Sequence, residues 1–249
     1  MNGKVCVITG AGQGIGAALA LYFAERGARV AIADLNPARG AEVAARIEAA
    51  GGKAIAVETD VADQQSVATL VTRVHEAYGP VAALINNARW SGLTPNPVTE
   101  ISDEDWQRAL DVNVTGAFNC IRAMVPDMIA TGWGRIVNMS SSTIRLPPPR
   151  PYLHYITSKA ALVGMTRALA RELGPQGITV NAVLPGSVET GIQRHVTPEE
   201  RERRVKATQS IPRVVTPGDI VGATFFLCSD EAGLMTGQSL AIDGGLTFG

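Results

Sequence analysis

Short β-branched runs alternate with longer amphipathic stretches along the whole chain, and this alternation limits what it can fold into more than any single motif does. Candidate strands are residues 4–9, 29–33, 54–58, 82–85, 135–139, 179–183 and 239–242. Between them lie helical patterns at 15–26, 37–50, 64–78, 103–130, 154–173 and 217–227. Strands that follow one another through a helix pair in parallel, and a parallel sheet needs cover on both faces. The expectation is an α/β fold: a doubly wound parallel sheet of about seven strands, flanked by helices on both faces. Nothing reads as a linker, an internal repeat or a low-complexity segment, and Pro147-Pro148-Pro149 with Pro151 reads as a loop before a helix. Residues 1–249 are expected to form a single domain, since a chain of that length buries roughly three-quarters of its unfolded surface.

The first strand runs into Thr9-Gly10-Ala11-Gly12-Gln13-Gly14-Ile15-Gly16, which opens a helix. Glycines at such a turn let the backbone bend tightly and approach a pyrophosphate. The helix N-terminus adds free N–H groups and a favourable dipole. This is the Rossmann-like arrangement for a dinucleotide. The second strand leads to Asp34, whose carboxylate can accept hydrogen bonds from an adenosine ribose diol and would repel a 2′-phosphate. Leu35 follows, and no Arg or Lys lies between Gly10 and Gly16, so NAD is expected over NADP. Asp34 also precedes Pro37 and could serve as a turn or helix-capping residue.

Composition removes several other classes. The formal net charge is -1 and no basic run appears, which argues against nucleic acid or an anionic membrane surface as partner. No signal-like leader and no apolar segment long enough to span a bilayer is visible, so a cytoplasmic location is expected. Cys6, Cys120 and Cys228 lie far apart in apolar contexts and fit reduced, buried thiols. His75, His154 and His195 lack metal-ligand spacing, so no metal is expected.

Tyr155-Ile156-Thr157-Ser158-Lys159 places a phenol one helical turn from an ammonium. A free phenol titrates near ~10, a neighbouring ammonium favours its ionised form, and a phenol so tuned can exchange a proton with an alcohol or carbonyl. Alone, the pattern is short enough to be a surface pair. It gains weight beside the dinucleotide turn. Asp60-Val61, Asn86-Asn87-Ala88 and Ser140-Ser141-Ser142 also close strands, where ligands bind in open α/β sheets; turn chemistry would account for them too. The pattern at 103–130 is apolar on more than one face and holds Asn113, an indifferent helix former, in its middle.

In this order and spacing, Thr9-Gly10-x-x-x-Gly14-x-Gly16, Asp60, Asn86-Asn87-Ala88, Asn113, the serine run, Tyr155-x-x-x-Lys159, Asn181, Pro185-Gly186 and Thr190 resemble the short-chain dehydrogenase/reductase family over essentially the full chain. The resemblance implies Tyr155 as general acid/base, Lys159 as the group that tunes it and holds the nicotinamide ribose, Asn113 as anchor of a relay water, and Ser141 as the second catalytic hydroxyl. It implies NAD contacts from Gly10, Gln13, Gly14, Ile15 and Gly16 in the turn, from Asp34 and Leu35, and from Asp60 and Val61 at the adenine. Asn87, Ala88, Tyr155 and Lys159 would line the ribose, and Pro185, Gly186, Val188 and Thr190 would hold the carboxamide. It also suggests a homotetramer that covers apolar surface on 103–130 and 154–173.

Two departures from the family pattern stand out. Tyr155 lies 14 residues after Ser141, so the proline-rich loop carries one extra residue; anchoring on Gly134-Arg135-Ile136-Val137 selects Ser141 over Ser142. Arg89 stands where the family usually has a glycine, which allows close backbone approach.

The implied activity is reversible, NAD-dependent oxidation of a secondary alcohol to a ketone. The substrate cleft is expected along 89–97, 143–154 and 187–212, the last as a lid whose charged run at 197–206 is a solvated helix. Trp90, Ile144, Leu146, Leu153 and Ile192, beside Arg145, Arg150 and His154, suit a hydrophobic small-molecule alcohol or ketone. Segment 140–159 is similar to bacterial short-chain alcohol dehydrogenases acting on aryl or cyclic secondary alcohols. The alternatives are a 3-oxoacyl thioester reductase of the same family, which would be expected to prefer NADP, and a non-catalytic nucleotide-sensing protein, which would commonly lack the tyrosine or the lysine.

Overall fold

The computed structural model describes residues 1–90, 96–191 and 197–248; the expectations placed on Ile192 and His195 lie outside them. Seven strands, β1 (Val5–Thr9), β2 (Arg29–Asp34), β3 (Lys53–Glu58), β4 (Ala83–Asn86), β5 (Gly134–Met139), β6 (Ile178–Pro185) and β7 (Ser239–Ile242), form one sheet in the order β3-β2-β1-β4-β5-β6-β7. Every pairing is parallel. The chain winds outward from β1 in one direction to β3 and then in the other from β4 to β7. A crevice therefore opens between β1 and β4 at the carboxyl ends of the strands.

The central strands are buried on both sides because their side chains serve two cores. In β1, Cys6 and Ile8 enter one core with Leu19, Phe23, Val30 and Ile220, while Val5 and Val7 enter the other with Val67, Leu70, Met124 and Leu173. Successive residues of a strand point to opposite faces, so a strand with cover on both sides reads as one apolar run. The first core takes its helical residues from α1 (Gly14–Glu25), α2 (Pro37–Ala49) and α8 (Pro217–Leu227); the second takes them from α3 (Gln64–Tyr78), α5 (Gly116–Thr131) and α6 (Leu153–Leu173). Cys6, Cys120 and Cys228 are free and buried, and burial pushes the Cys120 and Cys228 thiols up to about 12. Among the described residues, no helix is long and apolar enough to cross a membrane.

The pattern at 103–130 departs from one long helix. It divides into α4 (Asp103–Leu110), a π-helical turn (Asp111–Thr115) and α5. A π turn inserts one residue into the helical ladder and rotates the helix beyond it; Asn113 sits within it. After β6 the chain makes a parallel bridge from Val188 to Val215, and between these lies α7 (Pro198–Thr208), where Thr197 accepts from the Glu200 N–H at 3.2 Å.

Candidate active site

The crevice is a cleft of about 940 Å³. Its floor begins at the glycine turn, where the absence of side chains is a steric requirement. Gly10 and Gly14 have φ of 61° and 57°, which side-chain-bearing residues rarely adopt. A Cβ on Gly10 would meet Ala88 Cα at 2.8 Å, and one on Gly16 would lie 2.3 Å from the Gly10 carbonyl oxygen. Gly16 thus holds α1 against β1 and is not on the cleft wall. Gln13 precedes α1 without capping it by a side chain, and the first turn has no acidic residue. The N–H groups that begin α1 therefore remain available to an anion.

Thr9 and Asn87 pin this turn to β4. The Thr9 hydroxyl accepts from the Asn87 and Ala88 N–H groups, each at 3.0 Å, and the Asn87 amide donates to the Thr9 and Gly10 carbonyls at 2.9 and 3.0 Å. Asp34 braces the opposite side: its carboxylate accepts from the Gly12 N–H at 2.7 Å and the Asn36 N–H at 2.9 Å. Asp34 is therefore not the cap of α2; Asn36 caps it, accepting from the Arg39 N–H at 3.1 Å. A carboxylate has about four lone-pair sites, so two backbone bonds leave Asp34 able to accept from a ribose. The Asp60 carboxylate accepts from the Ala62 N–H at 2.9 Å.

The other half of the cleft is built from β5, β6 and α6. Ser141 accepts at its hydroxyl from the Thr143 N–H at 3.3 Å and the Thr143 hydroxyl at 2.9 Å. The Ser140 hydroxyl is committed to the helix, donating to the Lys159 carbonyl at 2.7 Å. Lys159 is buried; its ammonium donates to the Met139 carbonyl at 2.7 Å and lies 5.9 Å from the centre of the Tyr155 ring. Burial pushes Lys159 down to about 7, and the Arg89 guanidinium acts in the same direction. Lys159 is thus not the permanent ammonium that its spacing from Tyr155 suggests, because the fold desolvates it. Beyond β6, Gly186 passes so close to Asp243 that a Cβ would meet the Asp243 Cα at 2.9 Å. The Thr190 hydroxyl oxygen is buried with no partner among the described residues.

Of the residues singled out from the sequence, Gly10, Gln13, Gly14, Ile15, Asp34, Leu35, Asp60, Val61, Asn87, Ala88, Ser141, Tyr155, Lys159, Pro185, Gly186, Val188 and Thr190 all line this one cleft. Asn113 stands behind it. Its side-chain oxygen accepts from the Trp90 N–H at 2.8 Å and its amide donates to Ser158 at 3.0 Å, while Ser158 donates to the Tyr155 carbonyl at 2.8 Å.

The substrate wall needs correcting. Trp90 and Leu146 line it, but Ile144, Leu153, Arg145, Arg150 and His154 do not. Arg145 donates to the Ser239 carbonyl at 3.0 Å, held there by β7, and His154 is buried with its ring centre 5.8 Å from that of Trp90. Among the described residues, the cations on the wall besides Lys159 are Arg39, Arg89, Arg108 and Arg204. Arg108 lies one turn before Val112, and Arg204 falls in a run whose charges signal only solvent. A buried ladder was also missed: Asn86 donates to Asn138, and Asn138 to Thr166, each at 2.9 Å, tying β4, β5 and α6 together.

Residues 10–247 match a family model described as enoyl-(acyl carrier protein) reductase. A 2,5-dichloro-2,5-cyclohexadiene-1,4-diol dehydrogenase of Sphingobium indicum is 39% identical over 100% of this chain and 98% of its own length. A 3-oxoacyl-[acyl-carrier-protein] reductase of Thermotoga maritima is 36% identical over 100% of this chain and 99% of its own length. The solved structure of a Serratia marcescens short-chain dehydrogenase/reductase variant superposes with a TM-score of 0.91 at 35% identity, covering 99% of both chains. Agreement of this extent, in sequence from end to end and in the course of the backbone, assigns the protein as an oxidoreductase: the chain belongs to the short-chain dehydrogenase/reductase family.

Proposed function

We propose that this protein is an NAD-dependent dehydrogenase of hydrophobic aryl or cyclic secondary alcohols, acting reversibly as a ketone reductase. The observation that carries the reading is a single cleft whose wall holds the uncapped glycine turn together with Ser141, Tyr155 and Lys159. The residues present fit a nicotinamide dinucleotide. The N–H groups at the start of α1 would take its diphosphate, Asp34 and Leu35 its adenosine ribose, and Asp60 and Val61 its adenine. Lys159, with Asn87 and Ala88, would hold the nicotinamide ribose, and Pro185, Gly186 and Val188 would hold the carboxamide. A bound carboxamide would also give the buried, unpartnered Thr190 hydroxyl a hydrogen bond. When bound, the dinucleotide accepts or returns the hydride.

The chain's own part is to orient the substrate and move a proton. Ser141 and Tyr155 would both hydrogen-bond the substrate oxygen, and Tyr155 would take the alcohol proton as the carbonyl forms. Trp90, Leu146, Pro148 and Tyr152 add an apolar wall for a ring. The Sphingobium relative, by its name, acts on a ring alcohol. A second reading, a 3-oxoacyl thioester reductase using NADP, is favoured by Arg39 on the adenosine side of the wall and by the Thermotoga relative; the negative charge of Asp34 on the same side opposes it. On the same reading the protein acts as one domain, in the cytoplasm, as a homotetramer. The deciding experiment follows cofactor reduction with 1-phenylethanol and with cyclohexanol, each with NAD and with NADP. Turnover with NAD supports the reading. Activity confined to 3-oxoacyl thioesters with NADPH would replace it.

A further inference from the structure

Among the described residues, the wall of the cleft on the side of Ser141 and Tyr155 carries cations and no carboxylate. Arg89 after β4, Arg108 on α4 and Arg204 on α7 reach the same wall from three separate elements. The carboxylates on that wall, Asp34 and Asp60, close β2 and β3, on the other side of β1 from Ser141 and Tyr155. None of the three arginines has an ion pair or a side-chain hydrogen bond among the described residues. Arginines with a structural task look different in this molecule: Arg145 is fixed on the Ser239 carbonyl, and Arg213 makes two bonds to the Asp219 carboxylate.

Arg89 is the most telling of the three. It is half-buried, it stands beside Trp90 on the wall, and it is close enough to Lys159 for its charge to disfavour the ammonium. Arg89 thus faces an apolar-walled cleft with no acidic side chain on that side, among the described residues, to offset its charge. A guanidinium stays protonated, so Arg89 keeps its charge in the cleft even where Lys159 gives up its proton. A bound anion offsets that charge, and a carboxylate matches the guanidinium fork with two parallel hydrogen bonds. We propose that the alcohol or ketone taken by this site carries a carboxylate, held by Arg89, with Arg108 and Arg204 drawing it in from the exposed rim. This rests on the dehydrogenase reading for the reacting alcohol and deepens it: the ring lies against Trp90 and Tyr152 while its acid group turns to Arg89.

The test compares the full-length protein with Arg89→Gln and Arg89→Lys, after melting curves show that each variant is folded. The first readout is the ratio of kcat/KM for the para-carboxylate of 1-phenylethanol to that for 1-phenylethanol itself. A charge-assisted hydrogen bond contributes enough that the ratio should fall about ten- to hundredfold in Arg89→Gln. Arg89→Lys keeps the charge without the fork and should retain part of the preference. The second readout needs no turnover: benzoate and benzamide are titrated against the NADH complex by tryptophan fluorescence. Benzoate binding tighter than benzamide, and lost in Arg89→Gln, supports the inference even if neither alcohol reacts, in which case only the alcohol reading falls. Equal binding of benzoate and benzamide to the unaltered protein overturns the inference whatever the turnover. An equal loss of NADH affinity in Arg89→Gln also overturns it, since Arg89 would then serve the dinucleotide diphosphate.

Discussion

Lys159 reaches across from α6 to β5 and donates its ammonium proton to the main-chain carbonyl of Met139 at 2.7 Å. Ser140, directly after β5, answers with a hydrogen bond to the Lys159 carbonyl at 2.7 Å. The lysine is therefore part of the joint that holds the tyrosine helix against the serine strand. It is held there at a cost, because its desolvated ammonium is disfavoured.

That cost has a definite pH signature. Lys159 falls from an ordinary 10.5 to about 7 in the folded chain. Between these values the unfolded chain binds more protons than the folded one, so stability rises with pH across the window. The contribution is complete above about 10.5, shrinks as pH falls, and reaches its floor near 7. Lys159→Met removes this dependence and loses one hydrogen bond that contributes about 1 kcal/mol at any pH. Denaturant midpoints of the dinucleotide-free proteins should show the variant gaining on the parent as pH is lowered from 9.5 to 7, by an amount on the order of a few kcal/mol. A difference that stays flat with pH would refute the buried-amine argument. The same variant should lose turnover and bind NAD more weakly.

Tyr155 and Tyr152 both line the cleft, three residues apart, which makes one a control for the other. Tyr155→Phe keeps the ring and removes only the hydroxyl. Turnover should drop by roughly 10²–10⁴-fold, the usual contribution of a general acid–base group, with NAD affinity kept. Tyr152→Phe should mainly change KM, because that ring is wall and has no lysine one turn on. Steady-state kinetics on the two variants would expose a misassignment if the larger loss of kcat fell on Tyr152.

What could be read from the chain alone was set by how local its cause was. The β1 run and the glycine turn are written in consecutive residues, and the spacing of Tyr155 and Lys159 is one helical turn. All of them landed as the periodicity required. The substrate wall was not readable in this way. Arg145 and Arg150 sit in the proline-rich loop, close in sequence to Tyr155, yet the arginines on the cleft wall come from α2, the turn after β4, α4 and α7. Only the closing of the sheet brings those together. The π turn at Asn113 was hidden for a related reason: apolar spacing continues through it, and the partners that hold it, the Trp90 backbone and Ser158, are 23 and 45 residues away.

The dinucleotide end offers a test of charge balance. Asp34 and Arg39 both line the side of the cleft proposed for the adenosine, where a Cβ on Gly12 would touch both side chains. The carboxylate should repel a 2′-phosphate and favour NAD. Asp34→Asn removes the charge and keeps an acceptor for only one of the Gly12 and Asn36 N–H groups, which bond to different carboxylate oxygens, leaving Arg39 free to meet that phosphate. The ratio of kcat/KM for NAD to that for NADP should fall at least about tenfold, on the scale of one charge-assisted contact. Asp34→Asn with Arg39→Ala should restore part of the preference. A cofactor ratio indifferent to both changes would remove Asp34 from the selectivity argument.

Apolar side chains left outside the two cores bear on assembly. Phe118 and Ile129 on α5 are 45% and 47% exposed, and Leu153 on α6 is 42% exposed. A homotetramer with two-fold axes would cover the outer faces of α5 and α6. Light scattering at micromolar concentration should report four chains. Phe118→Glu should shift the protein to a smaller species, whereas a monomeric parent would end the proposal.

The joint behind the site gives the last prediction. Asn113 is buried, and both ends of its amide are in use: the oxygen takes the Trp90 N–H and the nitrogen gives to Ser158, whose hydroxyl is bonded to the Tyr155 carbonyl. One side chain in the π turn thus fixes the backbone at the cleft wall and the first turns of the tyrosine helix together. Asn113→Leu conserves volume and removes both bonds. It leaves the half-buried Trp90 N–H without its partner and weakens the anchoring of Ser158, at about 1 kcal/mol for each lost bond. The melting temperature should fall accordingly. At temperatures where the variant is still folded, kcat should fall more than NAD affinity, because the dinucleotide turn is braced separately by Thr9, Asn87 and Asp34. Asn113→Ser, too short to span both partners, should behave in the same way. A variant that melted like the parent while losing all turnover would show that Asn113 acts on the proton path and not as a brace, and the structural account of the π turn would have to be abandoned.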